Sequence, residues 1–253
     1  MPSALGKNHP ALKDLRRLRE PGERRRQGLF LVEGVRLLEE ASASPCFLER
    51  LFYRTDRLKD ERVARLVSRH SGRATELAAE SLSKLSETEQ DQGLIAVLRI
   101  PSAGAVADLK SLLVLEAVSD PGNVGTLIRA ARAAGVGGVA LLGGVEAFNS
   151  KVVRSSAGAI FYLPVFQGLS VDSIVEAGFT LLAAVARDGE DYYECALPSR
   201  PAWAMGGEAD GLSASLLAAG PVRVTLPMEG DCESLNVAMA GTLMMFDWRR
   251  RVR

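Results

Sequence analysis

The alternation of apolar and polar positions divides the chain into two stretches of different rhythm. In the first, short apolar runs alternate with amphipathic ones. A helix is predicted over residues 7–20, broken by Pro21-Gly22. Leu29–Val32 then reads as a strand, Val35–Ala43 as a helix, Phe47–Arg54 as a strand and Leu58–His70 as a helix. Ala74–Ala78 follows as a strand, then a short helix with Ser81 and Ser83 as N-cap candidates, and Leu94–Leu98 as a strand. This βαβα order predicts a small α/β unit over residues 1–98. Pro101-Ser-Ala-Gly104 is the best linker, which bounds a connection at 99–106 and a second unit at 107–253.

The second stretch opens with a predicted helix near Val106–Lys110. Leu112–Val118 is a continuous apolar run, the pattern of a central parallel strand buried on both faces. Asn123 stands where an N-cap belongs for a helix over Val124–Ala134, with Gly135 as its C-terminal stop and Gly138–Leu142 as the next strand. A short helix capped by Asn149 or Ser150 is expected next, then a strand Ile160–Val165 and a helix near Val171–Ala177. Leu181–Ala186 and Ala202–Met205 read as strands on either side of a polar loop, and a short helix starts at Gly211-Leu212. The last strand, Val222–Leu226, leads into a loop with Glu229, Asp231 and Glu233. A final helix from Ser234 is apolar on nearly every face between Val237 and Phe246, which predicts burial in a core or against a second chain. The fold class is therefore α/β with a parallel sheet, preceded by a smaller α/β domain.

Composition narrows the setting. At 253 residues, 47% apolar and 25% charged, the chain is that of a globular protein. No apolar run reaches a membrane span, and the first twenty residues lack the apolar core of a secretory signal. Cys46, Cys195 and Cys232 are odd in number and far apart, which points to a reducing, cytoplasmic compartment without a disulfide frame. His9 and His70 alone argue against a histidine-based metal site. Net charge is zero but unevenly placed: residues 1–100 carry 19 Lys/Arg against 15 Asp/Glu, the remainder 12 against 16. The cations concentrate at Arg16, Arg17, Arg19, Arg24, Arg25 and Arg26, which read either as a solvated helix face or as an RNA-binding arm. Lys151 and Arg154, beside Ser155, Ser156 and Gly158, resemble a phosphate grip or an exposed amphipathic turn.

The candidate chemistry lies where strands end. Gly206-Gly207-Glu208 follows a strand, where glycine admits close approach of a ligand to backbone and Glu208 supplies a carboxylate. Ser234 and Asn236 give the last helix a polar mouth, and an amide beside a buried helix needs partners. The glycines at 135–138 follow a helix rather than open one, so a dinucleotide fingerprint is absent, as is a phosphate-binding P-loop.

Three motifs, in order and in register, resemble the SpoU family of RNA 2′-O-ribose methyltransferases, of the SPOUT class. They are Asp120-Pro-Gly-Asn123-Val-Gly125 with Arg129 and Gly135; Met205-Gly206-Gly207-Glu208 with Gly211; and Leu226-Pro-Met228 with Ser234-Leu235-Asn236-Val237-Ala238. Residues 1–98 resemble a substrate-binding domain related to the ribosomal protein L30e fold, best at Phe30-Leu-Val-Glu33-Gly34. The resemblance implies S-adenosylmethionine as cofactor, held in a trefoil knot by Gly206, Leu226, Met228 and Leu235. It implies catalytic roles for Arg129, Asn123, Glu208, Ser234 and Asn236, with Arg129 central and Glu208 a rival base, and no role for a metal. It also implies a homodimer whose second subunit covers the site. The added N-terminal domain favours rRNA over tRNA as substrate. A catalytically silent dimeric RNA-binding protein of the same fold is the alternative class.

Overall fold

A computed structural model describes residues 10–86, 92–230 and 232–252. The chain forms two compact units, one of residues 1–101 together with 148–154, the other of 102–147 and 155–253.

The first unit contains α1 (Pro10–Arg17), α2 (Pro21–Gln27), β1 (Leu29–Glu33), α3 (Val35–Ala43), β2 (Leu48–Tyr53), α4 (Glu61–Arg69), β3 (Ala74–Glu76), α5 (Ala79–Ser83) and β4 (Leu94–Arg99). Its sheet runs β1-β4-β2-β3, with β4 antiparallel to both neighbours and β3 parallel to β2. Three expectations shift. Pro21 starts a helix instead of only ending one, because a proline at the first helical position loses no needed N–H. The helix expected from Leu58 begins at Glu61, where Asp60 caps it by accepting from the Arg62 N–H. Ser81 and Ser83 lie inside α5, whose N-cap is Ala78. Leu12, Leu15 and Leu18 are buried with Phe52, Leu77, Ile95 and Val97, so the basic N-terminal segment is part of this unit's core.

The second unit contains β5 (Leu112–Glu116), α6 (Pro121–Ala134), β6 (Gly138–Leu142), α7 (Ser150–Ser155), β7 (Val165–Gln167), α8 (Val171–Glu176), β8 (Thr180–Ala184), β9 (Glu190–Asp191), β10 (Pro201–Gly206), α9 (Ala214–Ala218), β11 (Val222–Thr225) and α10 (Val237–Arg251). Of these, most of α7 groups with the first unit. Its seven-stranded sheet has the order β7-β6-β5-β10-β8-β11-β9, and every pairing is parallel. Leu112–Leu115 and Ala202–Met205 are fully buried, which accounts for their unbroken apolar pattern. One face packs Leu112, Val114, Ala140, Ala202 and Ala204 against Ile174, Phe179 and Leu216. Beside the sheet, α6 and α10 approach closely at Gly241: a side chain there would place its Cβ 2.5 Å from Leu127 Cδ2.

Here too the pattern misplaces ends. The strand expected at Ile160–Val165 is a 3-10 turn over Ala159–Phe161 followed by β7. The helix expected near Val106 is a 3-10 turn of three residues, and that expected at Gly211 starts at Ala214 behind the Ser213 cap. The polar loop after β8 carries the short β9. The last helix begins at Val237, not Ser234. Of the side chains named from sequence, His9 and Asp231 lie outside the described residues.

Candidate active site

All strands of the second sheet point the same way, so their C-terminal ends share one rim, where ligands of open α/β sheets bind. Here a cavity of about 380 Å³ opens, within the range of small-molecule sites. Its walls come from the end of β8 (Ala184–Ala186), the end of β10 with the turn after it (Met205–Glu208, Gly211), the loop after β11 (Leu226, Met228, Ser234–Asn236) and α10 (Val237, Ala240, Met244). Gly206, Leu226, Met228, Leu235, Glu208, Ser234 and Asn236 are thus brought together. Leu226 is buried and Met228 and Leu235 half-buried, giving an apolar wall. Gly206 is required by crowding: a Cβ would fall 2.2 Å from the carbonyl carbon of Gly211. The turn closes by the Gly211 N–H donating to Gly207 O, and Gly211 adopts a left-handed φ of 67°. Ala117, which packs beneath Gly207, is held at φ 55°, a conformation that costs a non-glycine residue energy.

One hydrogen-bonded chain pins the polar groups. Asn236 is the N-cap of α10, its Oδ1 accepting from the N–H of Ala238 at 2.9 Å and Met239 at 3.2 Å. The helix expected from Ser234 is therefore capped at Asn236, and Ser234 stays exposed in the preceding loop. Asn236 Nδ2 donates to Asn123 Oδ1 at 3.2 Å, and Asn123 Nδ2 donates to Glu208 Oε1 at 2.7 Å. The N–H and hydroxyl of Ser119 approach Glu208 Oε2 at 3.5 and 3.4 Å. Asn123 is likewise not the cap of α6. Asp120 is, accepting from the Asn123 N–H at 2.8 Å, which places Asn123 in the first turn and frees its side chain for the site.

Burial works against the charge of Glu208, but hydrogen bonds from Asn123 and Ser119 outweigh it and hold the carboxyl below the ordinary carboxylate range. A carboxylate so stabilised is a poor proton acceptor near neutral pH. Glu208 therefore fits an orienting role better than that of a rival base.

Arg129 is placed apart. It is exposed on α6, does not line the cavity, and makes no hydrogen bond or ion pair with the described residues. Six residues separate it from Asn123, about 9 Å of rise and 120° of phase, so the two side chains leave the helix in different directions. Ser119 escaped the sequence reading although it directly precedes the Asp120 cap. So did Met244, whose place on the cavity wall depends on how α10 docks.

The basic residues are distributed unevenly. Arg24 is 3% exposed and donates to Leu18 O at 2.8 Å and Arg19 O at 2.6 Å, tying down the end of the first helical segment. Its expected place in an RNA-binding arm is corrected: the guanidinium is buried and already coordinated. Arg19 donates to Leu85 O and Ser86 O, Arg17 pairs with Asp14, and Arg26 with Glu23. Arg16 and Arg25 are exposed. Lys151 and Arg154 sit on α7 and are both already engaged within the chain. No cluster of His, Cys, Asp or Glu among the described residues could hold a metal ion, and no described helix is long and apolar enough to cross a membrane.

A parallel α/β sheet, an apolar cavity at its C-terminal rim and a pinned amide–carboxylate chain at the cavity mouth define a small-ligand-dependent enzyme domain. Residues 110–246 match the SpoU rRNA methylase family, and residues 9–96 match an MRM3-like substrate binding domain. The 23S rRNA (guanosine(2553)-2′-O)-methyltransferase RlmP of Bacillus subtilis is 33% identical over 94% of this chain and 95% of its own length. An AdoMet-bound rRNA methyltransferase of Sinorhizobium meliloti superposes with a TM-score of 0.85 at 25% identity, over 99% of this chain and 98% of that one. The SpoU methyltransferase AviRb of Streptomyces viridochromogenes, in complex with AdoMet, also superposes at 0.85 with 25% identity, over 97% and 98% of the two chains. The chain belongs to the SpoU family of rRNA methylases.

Proposed function

We propose that the protein transfers a methyl group from S-adenosylmethionine to a ribose 2′-OH of ribosomal RNA. The observation that carries this reading is the cavity at the sheet rim whose polar mouth is the Asn236–Asn123–Glu208 chain. The site fits the cofactor in size and in chemistry. Gly206 lines the cavity while its α-carbon packs on the Gly211 backbone, and Leu226, Met228 and Leu235 offer an apolar wall. These four residues would hold the cofactor, which supplies an electrophilic sulfonium methyl.

The remaining chemistry belongs to the protein. A ribose hydroxyl must be aligned and must lose a proton. Glu208 orients Asn123 by taking one of its two amide hydrogens, leaving the other, with that of Asn236, to position the ribose. Ser234 adds an exposed hydroxyl at the mouth. Arg129 brings a planar guanidinium fork, so its first role is to engage the RNA phosphate and the 2′-oxygen, stabilising charge as the proton passes to solvent. The identity of Arg129 as the central catalytic residue rests on the motif rather than on its place at the cavity.

A homodimer accords with α10. Met239, Leu243 and Phe246 form one helical stripe and are 59%, 45% and 46% exposed, an apolar face suited to a second copy that covers the site. The trefoil knot is what the family resemblance implies for this part of the chain, where α10 packs against α6 and β10 and hydrogen-bonds to the loop at residues 192–195. The three free cysteines agree with a reducing, cytoplasmic setting.

The direct test maps 2′-O-methyl sites in total RNA incubated with the purified protein and S-adenosylmethionine. A single new site in rRNA is expected. New sites in tRNA alone would replace the substrate, and cofactor binding without transfer to any RNA would favour the silent RNA-binding protein.

A further inference from the structure

One rim of the first unit's sheet gathers the start of β2, the start of β3 and the end of β4. Phe47 stands just before β2 and is 44% exposed, although Leu48, Leu51 and Phe52 behind it are buried. Two guanidinium groups lie over its ring: Arg73 at 4.7 Å and Arg99 at 4.6 Å from the centroid. Arg73 ends the turn that follows α4, Arg69 is the last residue of α4, and Arg65 stands one helical turn before it on the same face. Arg69 and Arg65 line a shallow cavity of about 370 Å³ with Ser42. His70 connects the two parts. Its imidazole is within hydrogen-bonding distance of Ser42 at 2.8 Å, and burial together with the charges of Arg69 and Arg73 holds it below the ordinary histidine value.

The charges do not cancel. Glu49 neutralises Arg99 and Glu39 neutralises Arg62, but Arg65, Arg69 and Arg73 make no ion pair with the described residues. An exposed aromatic ring beside the unneutralised Arg73, four residues past the equally unneutralised Arg69, is what an unpaired nucleotide needs. The base finds an aromatic or guanidinium plane to stack on, and the flanking phosphates find cations. A protein partner would favour a larger apolar patch than one ring.

We propose that the rim formed by Phe47, Arg69, Arg73 and Arg99 binds an unpaired segment of the substrate RNA, one base stacking on the platform that Phe47 makes with the guanidinium planes over it and its neighbouring phosphates meeting Arg69 and Arg73. The proposal rests on the reading of the chain as an RNA methyltransferase and assigns the first unit a specific grip outside the catalytic cavity.

The full-length protein is titrated into fluorescein-labelled oligouridine of about 16 nucleotides, followed by anisotropy over a series of salt concentrations. Phe47→Ala is expected to weaken binding about ten-fold, and Phe47→Trp to keep wild-type affinity. The double variant Arg69→Ser/Arg73→Ser, which leaves the platform ring in place, is expected to reduce the slope of log K against log salt by about 1.4. Unchanged affinity and slope in these variants overturn the proposal, as does equal loss in Phe47→Ala and Phe47→Trp. Methyl transfer to rRNA is assayed in parallel. Transfer by the wild type with no effect of the rim variants on binding removes this inference and leaves the function standing. Phe47-dependent binding without any transfer does the reverse, and absence of both removes both.

Discussion

The two sheets place their polar groups in opposite ways. In the second unit every strand runs in the same direction, so the ends of β5, β8, β10 and β11 come to one rim, and the side chains there are few, mostly neutral and bound to each other. In the first unit β4 runs against its neighbours, and the rim that carries Phe47 mixes strand starts with a strand end. Its polar groups are chiefly cations: Arg73 leans on a ring and on solvent, and Arg99 on the same ring and on Glu49. The contrast separates two tasks. Orienting a reacting hydroxyl needs groups held to a fraction of an ångström by their own partners. Holding a flexible polyanion needs charge that can follow it.

Arg129 is the residue that blurs this contrast, because it belongs to the pinned unit yet is itself free. Arg129→Ala is expected to lower methyl transfer by about 10²–10⁴-fold, the range for groups that act on a proton or on developing charge. Thermal stability should stay unchanged, since the side chain is exposed. The companion variant Glu208→Gln keeps an oxygen for the Asn123 amide and is expected to retain activity within about ten-fold. Single-turnover transfer rates check both. Loss of activity in Glu208→Gln equal to that in Arg129→Ala would make Glu208 the base after all and would undo the orienting role.

What the sequence made legible follows from the same physics. The continuous apolar run at Leu112 announced a buried parallel strand, and the three motifs picked out residues that line the cavity, because both signals are local. The caps were misassigned because Asp120, Asn123, Ser234 and Asn236 are all good cap formers, and only tertiary contacts decide which oxygen meets the helix and which meets a neighbour. The arginine cluster at Arg16–Arg26 was ambiguous for a deeper reason: a guanidinium pairs as well with backbone carbonyls as with phosphate, and charge counts do not distinguish them.

Arg24 sharpens this point. Arg24→Ala removes charge-assisted hydrogen bonds to two carbonyls and the packing of a buried stem, and is expected to destabilise the first unit by about 3 kcal/mol. The salt dependence of RNA binding, measured under conditions where the variant is folded, should not change. Urea unfolding and anisotropy titrations provide the two readouts. A flattened salt slope with full stability would return Arg24 to the RNA-binding surface and weaken the division between structural and phosphate-binding arginines.

The smallest expected effect concerns how the pinned rim is kept pinned. Tyr192 is fully buried, and its phenol accepts from Trp203 Nε1 at 3.0 Å while donating to Met244 O at 2.8 Å, on the helix that lines the cavity. Arg251 ties the end of the same helix to the Tyr192 and Cys195 carbonyls. Tyr192→Phe leaves the indole N–H of Trp203 without its acceptor and should cost about 1–2 kcal/mol. Burial also pushes the phenol above its ordinary value, with the Trp203 hydrogen bond opposing it only in part. The unfolded chain ionises this tyrosine near pH ~10, whereas the folded chain does not until a higher pH. The stability advantage of wild type over Tyr192→Phe should therefore be constant from neutral pH up to about 10 and shrink as pH rises further. Urea unfolding of both proteins at neutral pH and above pH ~10 measures this. An advantage that persists undiminished at the higher pH would mean that the phenol is not held neutral by burial, and that α10 owes its position to the Arg251 contacts and Gly241 packing instead.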